Sequence, residues 1–148
     1  MKSMKRRISS IEMAIIDENS EWLGVPRLLL MENAGKALVT EISKKINVEG
    51  KKVAILAGLG NNGGDSFVAA RHLALLGADV HVFLLGKSED IRTDEARKNW
   101  DILKKMVLTV NAVEVRFVEK LKEFEEVIRS ADVVIDGMLG TGVRGELR

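Results

Sequence analysis

Two glycine-rich stretches hold the residue types from which a nucleotide site can be built. The first is Gly58-Leu59-Gly60-Asn61-Asn62-Gly63-Gly64-Asp65, a G-x-G-x-x-G spacing joined to two amides and a carboxylate. Glycines let the backbone turn tightly and approach a phosphate or ring with no Cβ in the way. A helix beginning near Gly64 would aim free N–H groups and a positive dipole end at a bound anion. The second runs Asp136-Gly137-Met138-Leu139-Gly140-Thr141-Gly142-Val143-Arg144-Gly145, a carboxylate followed by more glycine and an arginine. Each has a plainer reading. Asn61 and Asn62 could simply tolerate positive φ in a tight connection, Asp136 could cap a following helix, and Arg144 could be solvated.

What must position these stretches is legible in the periodicity. Ser9 and Glu12 have capping-box spacing, and Ile8, Ile11, Ile15 and Trp22 then fall on one helical face. Gly24 and Pro26 break that helix, and Leu30, Ala34, Leu38, Ile42 and Ile46 carry a second one to Gly50. Beyond it the pattern alternates. Strands are expected at Val53 to Ala57, Val80 to Leu85, Val113 to Val118 and Val133 to Asp136, with helices near Asp65 to Leu76, Thr93 to Met106 and Glu119 to Ser130. Strands apolar on both faces, alternating with helices, predict a doubly wound, mostly parallel α/β sheet with two extra N-terminal helices. Both glycine stretches then follow strands, and ligands in such sheets sit at the carboxyl ends of strands. Four strands, with Arg148 coming just after a glycine loop that should introduce a helix, predict an unfinished domain over 1–148.

Composition narrows the function classes. The chain has 148 residues, 46% apolar and 30% charged, which suits one soluble globular domain. A net charge of +1 with 4% aromatics argues against a nucleic-acid surface. With no cysteine, disulfides and thiolate chemistry are excluded. No apolar run approaches a membrane span, and the basic start Lys5-Arg6-Arg7 is followed by acids rather than a signal's apolar core, so a cytoplasmic protein is expected. His72, His81 and the charged run Glu119 to Arg129 read as structural or solvated.

With both glycine stretches in view, the sequence resembles the YjeF N-terminal domain family of NAD(P)H-hydrate epimerases. The resemblance rests on Glu12-Met13 with Asp17-Glu18, on Leu30-Met31-Glu32-Asn33-Ala34-Gly35, on AGLGNNGGDSFVAARHL (Ala57 to Leu73) and on DVVIDGMLGTGVRGELR (Asp132 to Arg148). It implies a Rossmann-like three-layer domain that interconverts the R and S forms of hydrated NADH and NADPH, so that a dehydratase, fused or separate, can repair both. By motif position, Asn61, Asn62, Gly63, Gly64 and Asp65 would contact the dinucleotide. A second binding stretch would be Gly140, Thr141, Gly142, Val143, Arg144, Gly145 and Glu146. Asn62 and Asp136 would hold the family's potassium ion, with Asp136 the candidate catalytic group. Potassium is hard and loosely coordinated, and accepts amide, carboxylate and carbonyl oxygens.

The sequence departs from the family in two respects. Ser66 stands where members commonly have glycine, and the family's later aspartate and serine, which hold substrate and complete the potassium site, lie beyond Arg148. Epimerisation needs a proton donor and acceptor at the carbon bearing the added hydroxyl. Asp136 beside a cation would be a poor acid, and Asp65 at a helix start is expected to stay ionised. Two alternatives stand beside this reading. One is a non-catalytic scaffold of the same fold, as in mRNA-decapping proteins. The other is an ordinary dehydrogenase, which wants an acid after the second strand, where Lys87 follows Leu84-Leu85-Gly86. A homodimer is expected from the amphipathic N-terminal helices and the sheet edge.

Overall fold

The structure, a computed structural model, describes residues 7–116 and 118–140. The chain opens with α1 (Ser10–Trp22), capped reciprocally by Ser9 and Glu12, and α2 (Arg27–Ser43) behind Pro26. There follow β1 (Lys52–Ala57), α3 (Asn61–Leu75), β2 (Asp79–Leu84), a 3-10 turn at Ser88–Asp90, α4 (Asp94–Lys105), β3 (Val110–Glu114), α5 (Val118–Ser130) and β4 (Val133–Gly137).

Among the described residues the four strands are all parallel, in the order β3-β2-β1-β4. The chain winds outward from β1 through β2 to β3 and then returns to pair β4 on the other side of β1. The order therefore reverses between β1 and β4, and the crevice of a doubly wound sheet opens at that reversal. Both glycine stretches lead out of it.

The alternation of β1 divides the core. Val53, Ile55 and Ala57 face α3 and α4 with Phe67, Leu73, Trp100 and Leu103, while Ala54 and Leu56 face α5 with Phe83, Phe124 and Val127. Phe67 tilts against Trp100 at 5.2 Å between centroids, and Phe83 meets Phe124 edge-on at 5.1 Å. Helices cover both faces, as expected of strands with no polar side. Among the described residues no helix is long and apolar enough to cross a membrane.

α2 lies outside α3 rather than on the sheet. A Cβ on Gly35 would stand 2.4 Å from Cβ of Val68 and 2.7 Å from the Asp65 carbonyl, so glycine sets the close approach of these helices. Glu32 then reaches across to accept from Arg71, and its Oε1 lies 2.7 Å from Nε2 of His72. Arg71 also donates to Asn99 Oδ1 at 3.0 Å, which brings α4 into the same network. Burial by itself raises the Glu32 carboxyl, but the bonds and charges of Arg71 and His72 outweigh it and hold it below its ordinary value. A depressed carboxyl contributes stability above its unfolded-state value and loses it as pH falls through the folded one. Glu32→Gln is therefore expected to lower stability by about 2 kcal/mol at neutral pH. The deficit should shrink below the usual carboxylate range, as denaturant melts across pH would show; a deficit that does not change with pH would contradict the ion-pair account.

Three boundaries differ most from expectation, the first being the end of α2, which stops at Ser43 rather than running on through Ile46 to Gly50. α3 begins at Asn61, so the asparagines and Gly63-Gly64-Asp65 form its first turn instead of a preceding loop. Among the described residues no non-glycine residue has positive φ, which rules out the reading of Asn61 and Asn62 as left-handed turn residues. β3 occupies Val110–Glu114 rather than starting at Val113, because β2 pairs Val80 with Val110 and ends at Leu84 opposite Glu114. Only the Val115 N–H, donating to the Leu84 carbonyl at 2.9 Å, extends the ladder.

Candidate active site at the strand reversal

The two glycine stretches adjoin, and glycine is what allows it. Gly58 N–H donates to the Gly137 carbonyl at 3.0 Å, and the carbonyl oxygen of Met138 sits only 2.0 Å from where a Gly58 Cβ would be. Gly63 packs on the Gly58 carbonyl in the same way, at 2.1 Å. Gly137 in turn leaves room for the Ser66 hydroxyl, which a Cβ there would meet at 2.0 Å. Ser66 is buried and donates to the Asn62 carbonyl at 2.9 Å, so the departure from the family's glycine has a structural role in α3.

Asn62 spans the junction. Its Nδ2 donates to the Leu139 carbonyl at 2.9 Å, and Gly140 lies alongside its Cβ. This leaves the Asn62 Oδ1 as an acceptor, with the amide orientation assigned from its hydrogen bond. Asp136, exposed, is the penultimate residue of β4, and its Oδ1 accepts from the Met138 N–H at 3.0 Å. Asn61 is exposed, and its Oδ1 accepts from the Thr93 hydroxyl at 2.7 Å. Gly63 and Gly64 are buried against backbone and Met31. The remaining expected binding residues, Thr141, Gly142, Val143, Arg144, Gly145 and Glu146, lie outside the described residues.

Several residues that shape this junction gave no signal in the sequence. Thr93 reads there only as the start of the expected helix to Met106, whereas in the structure it caps α4 by accepting from the Ala96 N–H and also braces Asn61. Arg92 N–H ties the same loop to the Leu59 carbonyl at 2.8 Å. Their separation along the chain hides both contacts.

The sequence profile described as YjeF-related protein N-terminus matches residues 27–148. The chain belongs to that family. It is 49% identical over 138 residues to the bifunctional NAD(P)H-hydrate repair enzyme of Methanothermobacter thermautotrophicus, covering 93% of this chain and 26% of that protein. It is 46% identical over 142 residues to the NAD(P)H-hydrate epimerase of Cenarchaeum symbiosum, covering 95% of this chain and 62% of that one. A crystal structure of the yeast protein ynu0 superposes with a TM-score of 0.77 at 28% identity, over 97% of this chain and 60% of that one. The chain thus spans about a quarter of the bifunctional relative and under two thirds of the epimerase.

In this YjeF-related domain the electrostatics single out Asp65. Its carboxyl departs from the ordinary range in the direction opposite to the one a helix start favours. Burial, and then the charge of Asp17 on α1, push its carboxyl up to about 6. The N-terminal dipole of α3 favours the anion by at most about 1–2 kcal/mol, and desolvation of a half-buried carboxylate outweighs that. Asp17 belongs to one of the stretches that carry the family resemblance, but sequence spacing alone did not place it near Asp65.

Proposed function

We propose that this chain epimerises the R and S forms of hydrated NADH and NADPH in nicotinamide nucleotide repair, working with an NAD(P)H-hydrate dehydratase, fused or separate. The observation that carries the reading is the Asn62-to-Leu139 bond. It joins the NNGGD turn to the turn after Asp136 at the reversal of the sheet, where a dinucleotide would lie. The names of the relatives point the same way. In this reading Asn61, Asn62, Gly63, Gly64 and Asp65 cradle one part of the substrate, and Gly140 to Glu146 the other.

The donor set fits potassium. Asn62 keeps its amide oxygen free of the Leu139 bond and Asp136 supplies a carboxylate at an exposed strand end, both oxygen donors of the kind a hard, loosely coordinated cation accepts. Asn62 and Asp136 would hold the ion, which when bound supplies a fixed positive charge at the junction. This chain's own acid–base chemistry would fall to Asp65, since a carboxyl near 6 holds a proton close to neutrality and can release it. Asp65 gives its proton to the departing hydroxyl, which leaves as water while the ring nitrogen's lone pair forms the C=N bond. Water then adds to the other face and returns a proton to the Asp65 carboxylate. The repair role suits the cytoplasm, where the dinucleotide pool resides.

The test couples this chain to an excess of a dehydratase specific for one epimer and follows the other epimer's disappearance in potassium buffer. Faster disappearance than the spontaneous rate is expected, and an unchanged rate would sink the assignment. Asp136→Ala is expected to remove the difference between potassium and sodium buffers in thermal melts of the chain; a difference that persists would take Asp136 out of the ion site.

A further inference from the structure

Asn61 and Asn62 stand side by side, yet what holds them turns their amides opposite ways. A carbonyl oxygen can only accept, so the Leu139 carbonyl fixes Nδ2 of Asn62 toward itself at 2.9 Å and leaves Oδ1 for a cation. Asn61 is held by a hydroxyl instead, with Thr93 donating to its Oδ1 at 2.7 Å. The start of α4 decides that direction. Thr93 Oγ1 already accepts from the Ala96 N–H at 3.4 Å, and among the described residues Asn61 Oδ1 is the acceptor for its own proton. Reversing the amide would set that proton against Nδ2, which has no lone pair to receive it. The N–H groups of the Asn61 amide are therefore left over at an exposed position, and no other group among the described residues takes them up.

Backbone donors stand beside them. α3 closes its first turn with the bond from Gly64 N–H to the Gly60 carbonyl at 3.1 Å, so the N–H groups of Asn61, Asn62 and Gly63 precede any intrahelical acceptor. A set made only of donors suits a group with several anionic oxygens. Of the groups that NADH and NADPH share, the pyrophosphate has that chemistry. We infer that Thr93, outside both glycine stretches, is a positioning residue for this site: by occupying the Asn61 amide oxygen, it reserves the Asn61 N–H groups for the pyrophosphate of the substrate. Thr93 acts from a fixed place, because α4 is seated along α3 in register. Thr93 meets Asn61, Cβ of Ala96 lies 3.0 Å from where a Gly64 Cβ would be, Trp100 packs on Phe67, and Asn99 accepts from Arg71 at 3.0 Å. The bond from Arg92 N–H to the Leu59 carbonyl pins the residue before Thr93 to the same stretch. A β-branched side chain is also stiff about χ1, so its hydroxyl has little freedom to lose. An amide left unheld would turn its oxygen toward the phosphates as readily as its nitrogen.

This inference rests on the epimerase reading for the identity of the substrate, and its test reads binding as well as turnover. The binding probe is ADP-ribose, which carries the pyrophosphate and no nicotinamide ring, titrated calorimetrically into the chain. Thr93→Val removes the hydroxyl at nearly constant shape and should weaken binding about tenfold or more, as expected when a donor to a charged group is misdirected. Thr93→Ser keeps the hydroxyl and should recover affinity to within about threefold of the parent. Thr93→Val also uncaps α4 and lowers the melting temperature by a few degrees, so a double-mutant cycle separates the two effects. If Thr93 acts through Asn61, adding Thr93→Val to Asn61→Ala should change affinity by no more than about twofold. In the epimerase assay Thr93→Val should raise KM about tenfold and leave kcat within about twofold, since the pyrophosphate is held alike in ground and transition states. Equal affinity of Thr93→Val and the parent, no binding of ADP-ribose by the parent, or an undiminished loss in the Asn61→Ala background would overturn the assignment. Absence of turnover, with the binding cycle as stated, would sink the epimerase reading alone and leave Thr93 in its role.

Discussion

Gly58→Ala is expected to lower the melting temperature by roughly 10 °C or more, although it adds a single methyl group. The new Cβ would stand 2.0 Å from the carbonyl oxygen of Met138 and 3.0 Å from its carbonyl carbon. Both atoms are backbone, so no rotamer change relieves the clash. The carboxyl ends of β1 and β4 would have to separate by more than 1 Å, stretching the bond from Gly58 N–H to the Gly137 carbonyl and the one from Asn62 to Leu139. The loss should be about 3–4 kcal/mol, with substrate binding lost alongside it. Gly60→Ala is the matched control. Nothing lies within 4 Å of its Cβ position, and its φ of −106° suits any residue. Differential scanning calorimetry of the two variants decides the matter, and equal melting temperatures would mean the two turns are not in contact.

Asp65→Asn is expected to act in opposite directions on stability and on activity. A carboxyl raised from 3.8 to about 6 binds its proton more tightly in the folded chain than in the unfolded one. The sign follows from linkage: the folded state binds more protons between those values, so stability falls as pH rises through that window and the penalty is complete above it. Two units correspond to roughly 3 kcal/mol, an upper bound for a half-buried group. Removing the charge should therefore stabilise the chain at pH 8 by about 1–3 kcal/mol and much less near pH 4. The same variant cannot exchange a proton at this position, so epimerisation by the route through Asp65 should fall about a hundredfold or more. Asp17→Asn should give a smaller gain with the same pH dependence, since it removes only the second cause. Denaturant melts of Asp65→Asn at several pH values provide the check. No gain at pH 8 would mean the carboxyl is ionised and well solvated, and its part in proton transfer would go with it.

The stabilising direction of that substitution is informative about design. A position whose side chain works against folding is retained where chemistry needs it. Asp65 fits that pattern, with its burial under α2 and its exposure to the charge of Asp17. Glu32, one turn into α2, shows the opposite arrangement: a carboxyl whose partners more than offset its burial. Two acids on neighbouring helices are thus tuned in opposite directions by what each one faces.

Much of this molecule was written locally. Among the described residues periodicity placed the α-helices and strands in the right order, because a helix or a buried strand declares itself in residues three, four or two apart. Ser9 and Glu12 cap α1 as their spacing requires, and the glycine stretches follow β1 and β4 as expected. The stretches carrying NNGGD and the Asp136 turn were sufficient to point to the family. What the sequence could not express is anything decided by distance across the fold. That Asn61, Asn62 and Asp65 open a helix instead of forming a loop depends on Gly63 seating on the Gly58 carbonyl, a contact between backbones. The start of β3 was set by its register with β2, not by its own apolar run. The pairing of Asp17 with Asp65, of Thr93 with Asn61 and of Glu32 with Arg71 joins residues 30 or more positions apart, with nothing in either neighbourhood to announce the other. The apolar face of α1 was visible in its spacing, but only packing could decide whether it pointed inward or out. Local sequence sets which conformations are cheap, and the tertiary structure alone sets which side chains meet.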